Sequence, residues 1–263
     1  MRHTAAALCL AAVTASLALT ACGSEKPDAA DGGAEGTAGS THKAAGATDG
    51  QAPFADLSGQ EIVDRALKAT RSATSLTLKG SVPDDEGTVE LDLALDREGH
   101  CAGTLGMSGE GEVGLIRTDD TVYMKFDEAY LRSEGKGQSK SEVDGVVDML
   151  ADRWVKTAAD SADAKDITGF CDLDGLLADF EDTRSAARKG RATTLDGTPA
   201  FTLTEAEGKD RHTLYVATEG KPYLLRIENT TAKQPEDISF TDYDKPVPAV
   251  PPADKDVLDL DKL

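Results

Sequence analysis

The 263-residue chain is short of positive charge, with 28 Lys and Arg against 48 Asp and Glu for a net charge of -20. Such a field repels phosphate backbones and anionic lipid surfaces alike, which excludes nucleic acid as a partner and a polybasic patch as a membrane anchor. Aromatics make up only 5%, with a single tryptophan, and there are four histidines and four cysteines. No CxxC or HxxxH spacing occurs, so a zinc site lacks its donors, and so few histidines give no convincing Ser/His/Asp set. The expectation is a non-enzyme with no metal and no cofactor. No second long apolar run follows the first 21 residues, so a membrane span is not expected beyond them. The length allows one medium domain plus tails.

What the chain does have begins at its N-terminus. Met1, Arg2 and His3 form a short positive start, and Thr4 to Ala21 are uncharged and rich in Ala, Leu, Val and Thr, which reads as a secretory signal peptide over residues 1–21. Leu19-Thr20-Ala21-Cys22 resembles the lipobox of bacterial lipoproteins, where small residues let a peptidase cut before a Cys whose sulfur carries diacylglycerol. Cys22 is therefore the expected lipidation site. Two acyl chains of the palmitate kind, at ~0.8 kcal/mol per buried CH2, anchor stably. The expected location is the extracytoplasmic face of the cell membrane, held by the lipid. Residues 22–55 are mostly Gly, Ala, Ser, Thr, Asp and Glu, too polar to order themselves, and read as a flexible linker with an r.m.s. span of ~30 Å.

With Cys9 in the removed peptide and Cys22 acylated, Cys101 and Cys171 remain, and two cysteines left in an exported chain suggest one disulfide. A catalytic thiol is the weaker reading, because the sequence adjacency of His100 to Cys101 supplies no lowered pKa.

The folded part is expected over residues 56–244. Ser58-Gly59-Gln60-Glu61 is a capping box, followed by Ile62, Val63, Ala66, Leu67 and Thr70 at helical spacing to about Ala73. Ser75 to Val82 and Thr88 to Asp96 then alternate around a Pro-Asp-Asp-Glu-Gly turn, with Leu76, Leu78 and Val82 and then Val89, Leu91, Leu93 and Leu95 on the buried face. Further strands are expected at Cys101 to Met107, Glu112 to Arg117 and Thr121 to Phe126. Helical stripes follow, one from Ser141 through Val143, Val146, Val147, Leu150 and Trp154, another from Asp172 through Leu173, Leu176, Leu177 and Phe180. Alternation resumes at Ala200 to Thr204, His212 to Ala217, Tyr223 to Glu228 and Ile238 to Thr241. Segregated helices and antiparallel strands imply an α+β domain whose sheet is long enough to curl. Residues 245–263 are Pro-rich, then acidic, and read as an extended closing segment.

Several phrases resemble the LppX/LprG type of mycobacterial envelope lipoprotein and its LolA-like relatives. They are the lipobox at Cys22, the polar stalk, the opening helix that closes in Ala69-Thr70-Arg71-Ser72-Ala73-Thr74-Ser75-Leu76, Thr121-Val122-Tyr123-Met124-Lys125, and Phe240-Thr241-Asp242-Tyr243-Asp244-Lys245-Pro246-Val247. The resemblance implies a strongly curved antiparallel half-barrel of about nine or ten strands with helices over its concave face, enclosing an apolar cavity for the acyl chains of an envelope lipid or glycolipid. It implies no catalytic residues. In a carrier, Leu93, Met124, Phe126, Leu150, Trp154, Leu203, Val216, Leu225 and Ile227 would line the void. In a tethered interaction module with a solid core, which would meet a basic protein or wall partner through its acidic surface, the same residues touch one another.

Two spellings carry no chemistry. Gly109-Glu110-Gly111-Glu112-Val113-Gly114 matches GxGxxG, but it lies between strands and carries two carboxylates that would repel a pyrophosphate. Asp172-Leu173-Asp174-Gly175 lacks the oxygens of a calcium loop and is simpler as a helix cap.

Overall fold

In the computed structural model the described residues are 53–84, 87–161, 164–178, 186–231 and 235–262, and all of them belong to the unit Gly50–Leu263. The signal peptide, Cys22 and most of the linker lie outside the described residues.

Ser58 starts the fold. Its hydroxyl accepts from the Glu61 N–H while the Glu61 carboxylate accepts from the Ser58 N–H, and α1 (Gly59–Arg71) follows. The helix buries Ile62, Val63, Ala66, Leu67 and Thr70 on one stripe. Five strands come next: β1 (Ser75–Asp84), β2 (Gly87–Asp96), β3 (Cys101–Met107), β4 (Gly111–Thr118) and β5 (Thr121–Phe126). Then come α2 (Glu128–Glu134), α3 (Lys140–Leu150), β6 (Trp154–Ala158), α4 (Lys165–Thr168), a 3-10 turn over Gly169–Cys171, and α5 (Leu173–Ala178). The chain returns through β7 (Arg188–Leu195), β8 (Thr198–Glu207), β9 (Asp210–Ala217), β10 (Leu224–Asn229) and β11 (Glu236–Thr241), and then reaches β12 (Val257–Asp259), which is flanked by 3-10 turns over Asp254–Asp256 and Leu260–Lys262.

These strands form one open, curved sheet in the order β12-β6-β5-β4-β3-β2-β1-β11-β10-β9-β8-β7, antiparallel except where β12 lies parallel to β6. The α+β half-barrel is thus the observed fold, with twelve strands among the described residues. Three of them, β6, β7 and β12, carry too little alternation to be read from the sequence. The residues of β7 are nearly all exposed, as an outer strand with two wet faces requires.

The register aligns one apolar row across most of the inner face: Phe240, Leu78, Leu93, Gly103, Leu115, Met124, Val155 and Leu258 are successive cross-strand neighbours. Helix α1 lies over the β7–β11 side of this face, where it contacts β7 and β10. Two inner-face glycines let neighbouring strands close in. A Cβ on Gly80 (φ +156°) would stand 1.8 Å from the Asp237 carbonyl oxygen, and one on Gly103 (φ +150°) 1.9 Å from that of Asp92. Gly103→Ala should therefore destabilise the fold by about 2 kcal/mol, as strained backbone does. An unchanged urea midpoint would show that the strands part at no cost.

One helical expectation changes. The stripe from Ser141 does not reach Trp154: α3 stops at Leu150, Asp152 takes a left-handed φ of 57°, and Trp154 opens β6. Alternation then sends Trp154 to the face opposite Val155. In α5 the stripe is observed through Leu177, with Phe180 outside the described residues. The closing segment supplies more than an extended tail. It leaves β11 through Asp244, whose carboxylate accepts from the Tyr223 hydroxyl, the Thr74 N–H and Lys221. Those bonds, Tyr223 foremost, hold the Asp244 carboxyl well below the usual carboxylate range. Tyr243 stacks on Tyr223 with ring centroids 3.9 Å apart.

Candidate ligand cavity

The hairpin of β1 and β2 leaves part of its inner face uncovered by α1. Opposite it stands the segment of α4, the 3-10 turn and α5, fastened by a disulfide between Cys101 on β3 and Cys171, whose Cα atoms are 5.4 Å apart. Arg97 adds a second fastening: its guanidinium bonds to Asp174 at the start of α5, to the carbonyl of Arg71 at the end of α1 and to that of Ala73 just beyond it. The Asp172 carboxylate accepts from the Gly175 N–H at 3.0 Å, so this acidic run caps its helix.

Between hairpin and segment is a partly open cavity of about 350 Å³. Its walls are Leu78, Val82 and Pro83 from β1, Val89, Leu91 and Leu93 from β2, and Phe170 and Leu176 opposite. Every one of these side chains is apolar, so nothing in the wall can act as acid, base or nucleophile. The arrangement can remove hydrocarbon from water, at ~0.8 kcal/mol per CH2, and can do no covalent chemistry.

The nine residues expected to line a void are distributed differently. Leu93 lines the cavity. Met124, Leu203 and Val216 are buried in the packed core, and Phe126, Leu150 and Ile227 pack against it. A bulge in β10 between Leu224 and Arg226 changes the strand's phase, so that Leu224 is fully buried and Leu225 only half so. Trp154 sits on the outer face, beside Gly114 and Lys125. The alternation of Val82, Val89 and Leu91 marked their face correctly. Nothing in it marks which stretch of that face the helices leave bare.

No family model matches the chain, and no curated protein matches it in sequence. Among solved structures, LprF from Mycobacterium bovis superposes with a TM-score of 0.51 at 16% identity, over 77% of this chain and 100% of that one. The fold is shared with LprF. The Mycobacterium tuberculosis lipoprotein LppX is 14% identical over 73% of this chain and 97% of its own, with a TM-score of 0.45. The LprF likeness extends over the curved sheet, and so agrees with the half-barrel architecture built up strand by strand above.

Among the described residues, one group offers three metal-ligand atoms close together: Asp96, Glu98 and His100 in the β2–β3 turn. Asp96 is already engaged there. One carboxylate oxygen accepts from the N–H groups of Glu98 and His100, and the other pairs with His100 Nδ1 at 2.9 Å. That Asp96 bond, ahead of the weaker Asp119 contact, holds the imidazole pKa above its ordinary 6.5. The group reads as a locked turn.

Proposed function

We propose that the chain is an envelope lipoprotein, anchored through acylated Cys22, that takes an acyl chain of a lipid or glycolipid into the cavity between β1, β2 and the Cys171 segment and carries or presents it. The observation that carries this reading is a cavity of about 350 Å³ walled by apolar side chains alone. It lies within the size range of small-molecule sites, at the smaller end. Water gains few partners in such a space, whereas ten methylenes would gain ~8 kcal/mol at ~0.8 kcal/mol each. The fold shared with LprF and the lipobox at Leu19-Thr20-Ala21-Cys22 support the same reading.

The test is native mass spectrometry of the exported chain, followed by organic extraction. A discrete added mass released as lipid is expected. Leu91→Trp should fill the cavity and abolish that mass while the thermal midpoint stays within a few degrees, because Leu91 is half-buried and borders open space. A clean apo mass that persists when lipids are offered would overturn the reading in favour of a surface module.

A further inference from the structure

The outer face of the sheet carries a second hollow, of about 340 Å³, bordered by Thr104, Glu112, Lys125, Asp152 and Trp154 with Gly114 at its floor. The register explains the dip. Thr104, Gly114, Lys125 and Trp154 are successive cross-strand neighbours, and Gly114 is the one member of that row without a side chain. The indole of Trp154 reaches over the gap, with a ring carbon 3.6 Å from where a Cβ on Gly114 would stand. Lys125 Nζ, 5.5 Å from the ring centroid, holds the ring by a cation–π contact and leaves an ammonium donor beside it. Glu112 and Asp152 bring exposed carboxylates to the border, and the Asp152 backbone is fixed by its N–H bond to the Phe126 carbonyl at 2.9 Å. Asp127 adds a third carboxylate, one oxygen of which accepts from the Tyr130 N–H.

We propose that this hollow is a binding site for a neutral saccharide unit. A sugar ring presents an apolar C–H face and a girdle of hydroxyls, and the hollow offers an aromatic surface, three charged acceptors, an ammonium donor and the Thr104 hydroxyl. Hydrogen bonds from hydroxyls to carboxylates are charge-assisted and correspondingly strong. Other ligand classes fit worse. An anion would meet Glu112 and Asp152, and a cation would compete with Lys125 for the ring. A purely apolar group would strip water from three carboxylates without replacing it. The site is independent of the inner cavity, with which it shares no lining residue.

Trp154 is the only tryptophan in the chain, so intrinsic fluorescence reads this site without a label. The exported full chain in detergent would be titrated with maltotetraose, cellotetraose, mannotetraose and chitotetraose in turn. At least one should shift the Trp154 emission saturably. Gly114→Ala should weaken that response tenfold or more at an unchanged thermal midpoint, because its Cβ would meet Lys125 and Trp154 at the ordinary contact distances of 3.5 and 3.6 Å while narrowing the hollow. Asp152→Asn, which keeps a residue tolerant of the left-handed backbone, should weaken it as well. No saturable shift with any of the four sugars, or an equal response from the Gly114→Ala chain, would overturn the proposal.

Discussion

Replacing Cys101 and Cys171 together by alanine should lower the stability of the domain by about 4 kcal/mol, the chain-entropy value for releasing a loop of this length. The two residues are 70 apart in sequence, and both sulfurs are fully buried in the core. Alanine is the right replacement, because serine would add a buried hydroxyl in need of a partner. For a domain of this size the loss corresponds to a fall of about 10 °C in thermal midpoint. The effect should also be local. The bond fastens the segment that carries Phe170 and Leu176, so hydrogen exchange across residues 164–178 should accelerate more than in β8 or β9. Thiol titration of the exported native chain should find Cys101 and Cys171 unreactive until a reductant is added. A loss below about 1 kcal/mol would mean that Leu173 and Leu177, both buried, hold the segment by packing alone.

Ending the chain after Pro252 should remove about 3 kcal/mol, the value of half-burying two leucines together with the strand they ride on. Leu258 and Leu260 pack against the core, and Asp259 meets Lys156 at 3.4 Å. The path is set by geometry. Seven strand spacings separate β11 from β12, or ~34 Å at ~4.8 Å each. The nine residues from Lys245 to Ala253, extended at ~3.1 Å per residue, reach ~28 Å, and the 3-10 turn Asp254–Asp256 at ~2.0 Å per residue adds ~6 Å, enough to cross. The shortened chain also leaves the free side of β6 unpaired, and an uncovered strand edge invites association. Size-exclusion chromatography should therefore show oligomers alongside the lowered urea midpoint. A monomer of unchanged stability would show that β12 adds nothing to the core.

Much of the fold was legible because its signals are local. The capping box at Ser58 and Glu61 placed α1, and the strict alternation of Val89, Leu91, Leu93 and Leu95 placed β2 and named its buried face. Reading failed where local pattern and tertiary context part. Val143, Val146, Val147, Leu150 and Trp154 keep helical spacing, yet the left-handed Asp152 ends the helical run and turns Trp154 to the outer face. Leu225 and Ile227 keep strand spacing, yet the β10 bulge moves Leu224 into the core in place of Leu225. Short or wet strands such as β6, β7 and β12 offer too few apolar residues for any period to show.

By itself the sequence determined the acidic character of the chain, the α+β class, the buried face of most strands and the two cysteines available to pair. Each follows from composition or from a period of a few residues, which local sterics and the hydrophobic effect enforce wherever the chain goes. Tertiary structure alone decided which part of the inner face remains bare and where Trp154 stands. Both depend on how far α1 and the disulfide-held segment reach across the sheet, and on the register that sets Gly114 beside Lys125. Those relations join residues far apart in sequence, so no local pattern can carry them.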